Sequence, residues 1–249
     1  MEPILEIRDL SKRFGGVEAV RSVSFDVPRG GLVGLIGPNG AGKTTFVNLV
    51  SKHENPDSGS VMLDKKPIHT LPSFRVARAG LARTYQKNRL FFEESVGENI
   101  LTAMIWGGTA KDAGASYPGL NGDEDERTRE LLDFFALTPY RDALPSSLSH
   151  LQRRRAEVAQ ALALAPKLLM LDEPFAGFSR DEAFDLIEHL RVCQKGGLTT
   201  LIIDHNMEVM MEVCEYLYVM HHGALLTAGT ADEVRLNKDV VNVYLGEEH

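Results

Sequence analysis

One run, GPNGAGKTT at residues 37–45, constrains this chain more than any other. It lies between the apolar GLVGLIG and the helix-like KTTFVNLVSK, and it fits G-x-x-x-x-G-K-[S/T]. Gly37, Gly40 and Gly42 allow the backbone to curl until its N–H groups point inward at one place, the geometry that phosphate oxygens need. Pro38, Asn39, Ala41 and Thr45 complete the cradle. Lys43 sets a cation against β- and γ-phosphates, and the Thr44 hydroxyl is a ligand for Mg2+. A strand, a glycine-rich loop and a helix in this order predict an α/β chain that holds a nucleotide by its phosphates.

The surroundings suit that reading. With 249 residues, 43% hydrophobic and 25% charged, the chain is long enough for one large domain, alone or carrying a smaller subdomain. A net charge of −8 argues against nucleic acid or an anionic membrane as a partner. Cys193 and Cys214 match no metal or redox spacing and are expected to be reduced thiols in a cytoplasmic protein. The opening MEPILEIRDLSKRF lacks the apolar core of a signal peptide, and no run approaches the ~18 apolar residues of a membrane span. Any membrane part is expected in another chain.

PILEIRDL and VRSVSFDV, with FGG and PRGG between and after them, predict antiparallel strands and turns. From about residue 93 to 165 the pattern becomes helical. SVGENILTAMIW has helical spacing, GGTAKDAGASYPGLNG is a loop, and DEDERTRELLDFFAL opens with four acids that suit the positive end of a helix dipole. Leu131, Leu132 and Phe135 form its apolar stripe. Beyond residue 165, KLLMLDEP and LTTLIIDH are short buried strands flanking the amphipathic DEAFDLIEHLRVCQ. Strands alternating with helices predict a mostly parallel sheet, with ligands beyond the carboxyl ends of its strands.

The remaining chemistry falls at those ends. Asp172 is predicted to hold Mg2+, directly or through water, and Glu173 to polarise an attacking water as general base. His205 closes another apolar strand, where a γ-phosphate sensor could reach. Gln86, in ARTYQKNRLF, stands where the sheet region passes to the helical one; its amide could ligate the metal and report it to a mobile subdomain.

Taken in order and spacing, the phosphate loop, Gln86, LSHLQ, LLMLDEP and His205 resemble the ATP-binding subunit of an ABC transporter over essentially the whole chain. The resemblance implies ATP and Mg2+ as cofactors, and ATP hydrolysis coupled to transport. It implies a P-loop NTPase (RecA-like) core with an N-terminal antiparallel β-subdomain, comprising residues 1–86 and 166–249, and an inserted α-helical subdomain over residues 87–165. Two such subunits would clamp head-to-tail around two ATP molecules, Phe14 would stack on adenine, and membrane permease subunits would carry the solute. The place of work would be the inner face of the cell membrane.

LSKRFGGVEAV, ARTYQKNRLF, DHNMEVM and the ending GTADEVRLNKDVVNVYLGEE resemble more narrowly the subunits of branched-chain amino acid importers and their relatives for amides, urea and aromatic acids. That branch implies indirect dependence on a solute-binding protein. Export, lipid extraction and a non-transport ABC ATPase are the alternatives. One cassette, no long insertion and an acidic balance disfavour the last.

Within the resemblance, SLSHLQ is the family's LSGGQ signature. Ser149 and the first N–H groups of its helix would grip the γ-phosphate on the opposite subunit's P-loop, with Gln152 supporting the nucleotide from the same turn. His150 and Leu151 replace both glycines. Leu151 is the more serious change, because a branched side chain there restricts close approach to the phosphate. Phe178 and Ser179 likewise stand where the family has Leu and an Asp or Asn. These departures predict a weakened signature half-site and favour pairing with a non-identical ATP-binding subunit, a homodimer being the other possibility. Arg153, Arg154 and Arg155 read as a charged, partly exposed helix face.

Overall fold

In a computed structural model that describes residues 2–85, 90–107 and 115–245, the alternation of strands and helices is realised as follows. Strands β1 (Pro3–Phe14) and β2 (Val17–Pro28) lead to β3 (Leu32–Ile36) and, through the glycine-rich loop, to α1 (Lys43–Val50). Next come β4 (Ser58–Leu63), β5 (Lys66–Pro67), α2 (Ser73–Arg78) and β6 (Leu81–Arg83). Three helices follow, α3 (Val96–Trp106), α4 (Glu124–Phe134) and α5 (His150–Ala163). The chain then runs through β7 (Leu168–Asp172), α6 (Arg180–Lys195), β8 (Thr199–Ile203), α7 (Met207–Val213), β9 (Tyr216–His221), β10 (Ala224–Gly229), α8 (Ala231–Leu236) and α9 (Lys238–Leu245). Contacts gather these elements into two compact units, Met1–Val76 with Leu201–His249, and Ala77–Thr200.

In the first unit β2, β1, β4 and β5 neighbour one another in that order. The antiparallel registers Ile7↔Phe25 and Ile7↔Val61 bring apolar residues together across three strands, and Ile4, Leu5, Ile7 and Leu10 are buried. A second set of strands pairs β3 with β9 in parallel, Val33↔Tyr216 to Ile36↔Val219, and β9 with β10 as an antiparallel hairpin. All five residues of β3 are buried, as a strand covered on both faces requires. The core behind α1 is aromatic. Phe25 from β2 lies 5.3 Å from Phe46 of α1 and 4.1 Å from Tyr218 of β9, ring centre to ring centre. The Tyr218 hydroxyl donates to the Asp26 carbonyl, and burial pushes its pKa up to about 12.

In the second unit β6 and β7 pair in parallel, Leu81↔Leu168 to Arg83↔Met170. Helices α3, α4, α5 and α6 each begin with a reciprocal cap: Ser95 with Glu98, Asp123 with Glu126, Ser149 with Gln152, and Ser179 with Glu182. The acidic run is a helix start, with Asp123 as the cap and Glu124, Asp125 and Glu126 in the first turn. Leu131, Leu132 and Phe135 are buried as the stripe predicts. Both cysteines are buried and outside any disulfide, and desolvation pushes the Cys193 thiol up to about 12. Among the described residues no helix is long and apolar enough to cross a membrane.

Candidate functional site

The predicted site residues divide between the two units. In the first, the loop 37–42 leaves β3 and turns into α1 by way of glycines with positive φ, 155° at Gly37 and 97° at Gly42. A Cβ on Gly37 would press into the Met220 carbonyl, and one on Gly42 into the Ala19 carbonyl. These two positions are therefore closed to side chains by packing as well as by dihedral angle. The turn between β9 and β10 backs the loop: the Gly223 N–H donates to the Ala41 carbonyl (3.0 Å), and the Gly223 carbonyl accepts from the Arg21 N–H (2.7 Å).

Lys43 is buried, its ammonium donating to the Gly37 (2.5 Å) and Pro38 (2.9 Å) carbonyls. Gly42 caps α1 without a side-chain hydrogen bond, and no acid occupies the first turn. The head of α1 is thus an electropositive end with no acid in its own first turn, a condition that suits a phosphate. Asn39, Gly40 and Thr44 are exposed, Thr45 is half-buried, and Pro38 and Ala41 are buried.

Phe14 ends β1, 47% exposed as a residue, with the Lys12 ammonium 5.4 Å from its ring centre. It is a surface aromatic, not a core residue. His205 follows β8 with 49% of its side chain exposed, whereas Asp204 beside it is buried. Asp204 Oδ1 accepts from the His205 N–H (2.8 Å) and the Asn206 N–H (3.0 Å) and lies 3.6 Å from His205 Nδ1. Asp204 thus fixes the backbone that carries the histidine through an Asx turn. Sequence reasoning missed it, although an acid directly before a histidine at a strand end was the visible signal.

In the second unit Asp172 closes β7, buried, with its carboxylate on the Arg83 guanidinium at 2.8 Å. Thr84 Oγ1 accepts from the Asp172 N–H (3.3 Å), and the Arg83 guanidinium lies 4.8 Å from the Tyr85 ring centre. Arg83 is a further site residue missed from sequence, since an arginine at the end of a three-residue strand gives no sign of its partner. Glu173 has φ 48°, a left-handed conformation costing a non-glycine residue about 1–3 kcal/mol. Gln86 lies outside the described residues.

Ser149 caps α5. Its Oγ accepts from the Gln152 N–H (3.2 Å), and Gln152 Oε1 accepts from the Ser149 N–H (2.9 Å). The hydroxyl proton is still available to an outside acceptor. His150 and Leu151 open α5 and are not among the residues of positive φ, so no dihedral there demands glycine, and Leu151 differs from it in bulk alone. The His150 ring meets the Phe178 ring edge-on at 5.5 Å, which puts two of the noted departures in contact. Phe178 precedes Ser179, the cap of α6.

Of the triplet read as a charged, partly exposed helix face, Arg153 and Arg155 are half-buried, and Arg154 alone departs from that reading. Arg153 donates to the Pro145 and Leu148 carbonyls (both 3.2 Å), and Arg155 pairs with Asp185 at 2.6 Å. Arg154 is buried against Glu157 at 2.7 Å. Three consecutive charges on a helix point in three directions, which composition does not convey. Phe91 and Phe92 are about half exposed, at 51% and 47%. Buried Asn99 fixes the backbone beneath them, accepting from the Phe91 N–H (2.7 Å) and donating to the Phe91, Glu94 and Ser95 carbonyls.

As to Mg2+, the first unit offers the Thr44 hydroxyl at the head of α1 and the second unit the Asp172 carboxylate at the end of β7, each an oxygen donor of the kind a hard cation takes. No cluster of three or more His, Cys, Asp or Glu able to hold a metal occurs among the described residues, and such an ion needs none.

Comparison with known proteins finds relatives among ATP-binding subunits of transporters. The family model described as ABC transporter matches residues 20–176. The chain is 37% identical to BraF of Pseudomonas aeruginosa, a high-affinity branched-chain amino acid transport ATP-binding protein, over 98% of each chain. It is also 37% identical to LptB of Escherichia coli, a lipopolysaccharide export system ATP-binding protein, again over 98% of each. Among solved structures it resembles MJ1267, an ATP-binding cassette of an ABC transporter, in its ADP conformation. The TM-score is 0.86 at 29% identity, covering 99% of this chain and all of that one (100%).

Proposed function

Because this chain belongs to the ABC transporter family and has that family's P-loop NTPase fold and ATPase activity, we propose that it powers import of branched-chain amino acids or related small polar or aromatic solutes. The observation that carries the importer reading is the full-length likeness to BraF. The stretches ARTYQKNRLF and DHNMEVM support it.

In this reading the loop 37–45 holds the ATP phosphates. Lys43 leaves its loop carbonyls for the β- and γ-oxygens as they enter, and the N–H groups at the head of α1 complete the cradle. Thr44, Gln86 and Asp172 are the residues that would hold Mg2+, which when bound neutralises charge on the phosphates. Glu173 takes the proton of the attacking water, and His205, on backbone fixed by Asp204, senses the γ-phosphate. Phe14 offers its ring to adenine. Ser149, His150, Leu151 and Gln152 present the head of α5 to ATP on the opposite subunit.

Pairing with a second, non-identical ATP-binding subunit follows from the bulk of Leu151. Permease subunits dock over residues 87–165, the helical subdomain, where Phe91 and Phe92 are exposed; residues 1–86 and 166–249 act as the core with its β-subdomain. A solute-binding protein acts indirectly, nucleic acid takes no part, and the chain sits on the inner face of the cell membrane.

The equal likeness to LptB supports a second reading, lipid extraction for export. Purification through a tag on this chain separates the two. Copurifying permeases and vesicle uptake of a labelled amino acid, dependent on a binding protein, support import. ATP-dependent release of lipid without amino acid uptake would overturn it.

A further inference from the structure

Arg154 and Glu157 form an ion pair inside the second unit, 2.7 Å apart, with 6% and 9% of their side chains exposed. Burial of this kind rarely adds stability over an apolar pair, because both ions surrender their hydration. Desolvation raises the Glu157 pKa, and the adjacent arginine opposes the rise. The guanidinium Nε has no hydrogen-bond partner among the described residues, so the site is incompletely satisfied as well as dry. Such a charge calls for a reason beyond stability.

The other guanidinium contacts supply one. Arg154 Nη1, which bonds Glu157, also donates to the Tyr85 carbonyl at 3.3 Å, and Nη2 donates to the Glu173 carbonyl at 3.5 Å. Tyr85 directly precedes Gln86, and Glu173 is the residue held at φ 48°. A left-handed glutamate persists only where its neighbours hold it. Here one neighbour is a charged donor on its own carbonyl. β6 and β7 are further joined by Thr84, whose N–H donates to the Met170 carbonyl (2.9 Å) and whose Oγ1 accepts from the Asp172 N–H. Arg154 extends that stitching to Tyr85, the residue after Thr84, and to Glu173, the residue after Asp172, from a helix outside both strands.

We propose that Arg154, seated by Glu157, is a positioning residue that locks the backbones at Tyr85 and Glu173 together and ties both to the signature helix. The inference rests on the ATPase reading above. Arg154 lies two residues beyond Gln152 on α5. A helix whose head grips ATP on the opposite subunit therefore carries, one half-turn on, the group that sets this subunit's own general base. Engagement at one ATP site becomes placement of Glu173 at the other.

The test is steady-state ATP hydrolysis by the assembled transporter recovered through this chain, with equilibrium binding of a fluorescent ATP analogue and melting temperature in parallel. Arg154→Met is expected to lower kcat about tenfold or more, as misplacement of a general base does, while KM and analogue affinity stay within about twofold. Arg154→Lys, which keeps one donor, should recover part of the loss. The paired change Arg154→Met with Glu157→Leu replaces both ions by apolar groups and should restore the melting temperature but not kcat.

Recovery of kcat together with melting temperature in the paired variant, or unchanged kcat in Arg154→Met, overturns the proposal. Lys43→Ala is the control for the reading beneath it. Hydrolysis that is absent in the parent chain or survives Lys43→Ala sinks the ATPase reading and this inference with it. A Lys43-dependent rate that ignores Arg154 sinks only the inference.

Discussion

Truncating Phe46 to alanine strikes the support behind the phosphate loop without touching the loop. Phe46 has no exposed surface and lies four residues beyond Gly42, with its N–H bonded to the Gly42 carbonyl at 2.8 Å. Its ring stacks at 5.3 Å on Phe25, which stacks in turn on Tyr218. Removing a buried phenyl group costs about 3–5 kcal/mol in transfer and cavity terms, and the lost ring pair adds about 0.5–1. A net loss of about 4 kcal/mol corresponds to a fall in melting temperature of about 8–16 °C for a chain of this size.

The same change should blunt the response to nucleotide. ATP at about 100 times its Kd stabilises a binding-competent protein by about 2.7 kcal/mol, and Phe46→Ala at that concentration should gain less because α1 no longer presents its N–H groups in register. Thermal unfolding followed by circular dichroism, with and without Mg-ATP, measures both quantities. A variant that melts within about 3 °C of the parent would refute the claim that this aromatic stack is the core of the first unit. A full nucleotide response in a strongly destabilised variant would refute the coupling between stack and loop.

Other expectations follow from the same geometry. Lys43→Ala removes the cation poised beside the loop and should weaken ATP binding about tenfold or more, read by fluorescence of a labelled analogue. Glu173→Gln in excess Mg-ATP, sized by light scattering, should stay monomeric while still binding ATP if Leu151 impairs the signature; a clean dimer would show that it does not. Leu151→Gly should then raise the hydrolysis rate of the chain paired with itself, and an unchanged rate would mean that α5 accommodates the leucine. Hydrogen bonds from the Ser179 N–H and hydroxyl hold the Glu182 carboxyl below its ordinary value of 4.5. A depressed carboxylate contributes stability above its unfolded pKa and loses it as pH falls through the folded one. Melting temperature should therefore decline as the solution is acidified below about pH 4.5, and Glu182→Gln should flatten part of that decline.

Much of the candidate site was legible because its chemistry is local. The loop 37–45 is a contiguous cradle whose glycines, lysine and hydroxyl act within a few residues of one another. Asp172 and His205 could be found because an apolar run that stops at a polar residue marks a strand end. The acidic head of α4 was readable for the same reason, since a dipole acts on its own first turn.

What stayed hidden depends on partners distant in sequence. Arg83 and Asp172 are 89 residues apart, and nothing along the chain marks them as a pair. Arg154 looked like one charge among three, yet the helical turn sends it inward while its neighbours reach loop carbonyls and α6. Phe14 and Phe91 carry the composition of core residues and lie at the surface; Asn99 carries that of a surface residue and has no exposed area.

The sequence by itself determined the phosphate-binding chemistry, the family, the alternation of strands and helices, and the carboxylates at strand ends. Each of these is written in short-range pattern and backbone periodicity. Only the tertiary structure decided which side chains those carboxylates meet, which arginine is buried, and how a left-handed glutamate is held. Those outcomes depend on parallel strand register and helix azimuth, which bring residues many positions apart within hydrogen-bond distance.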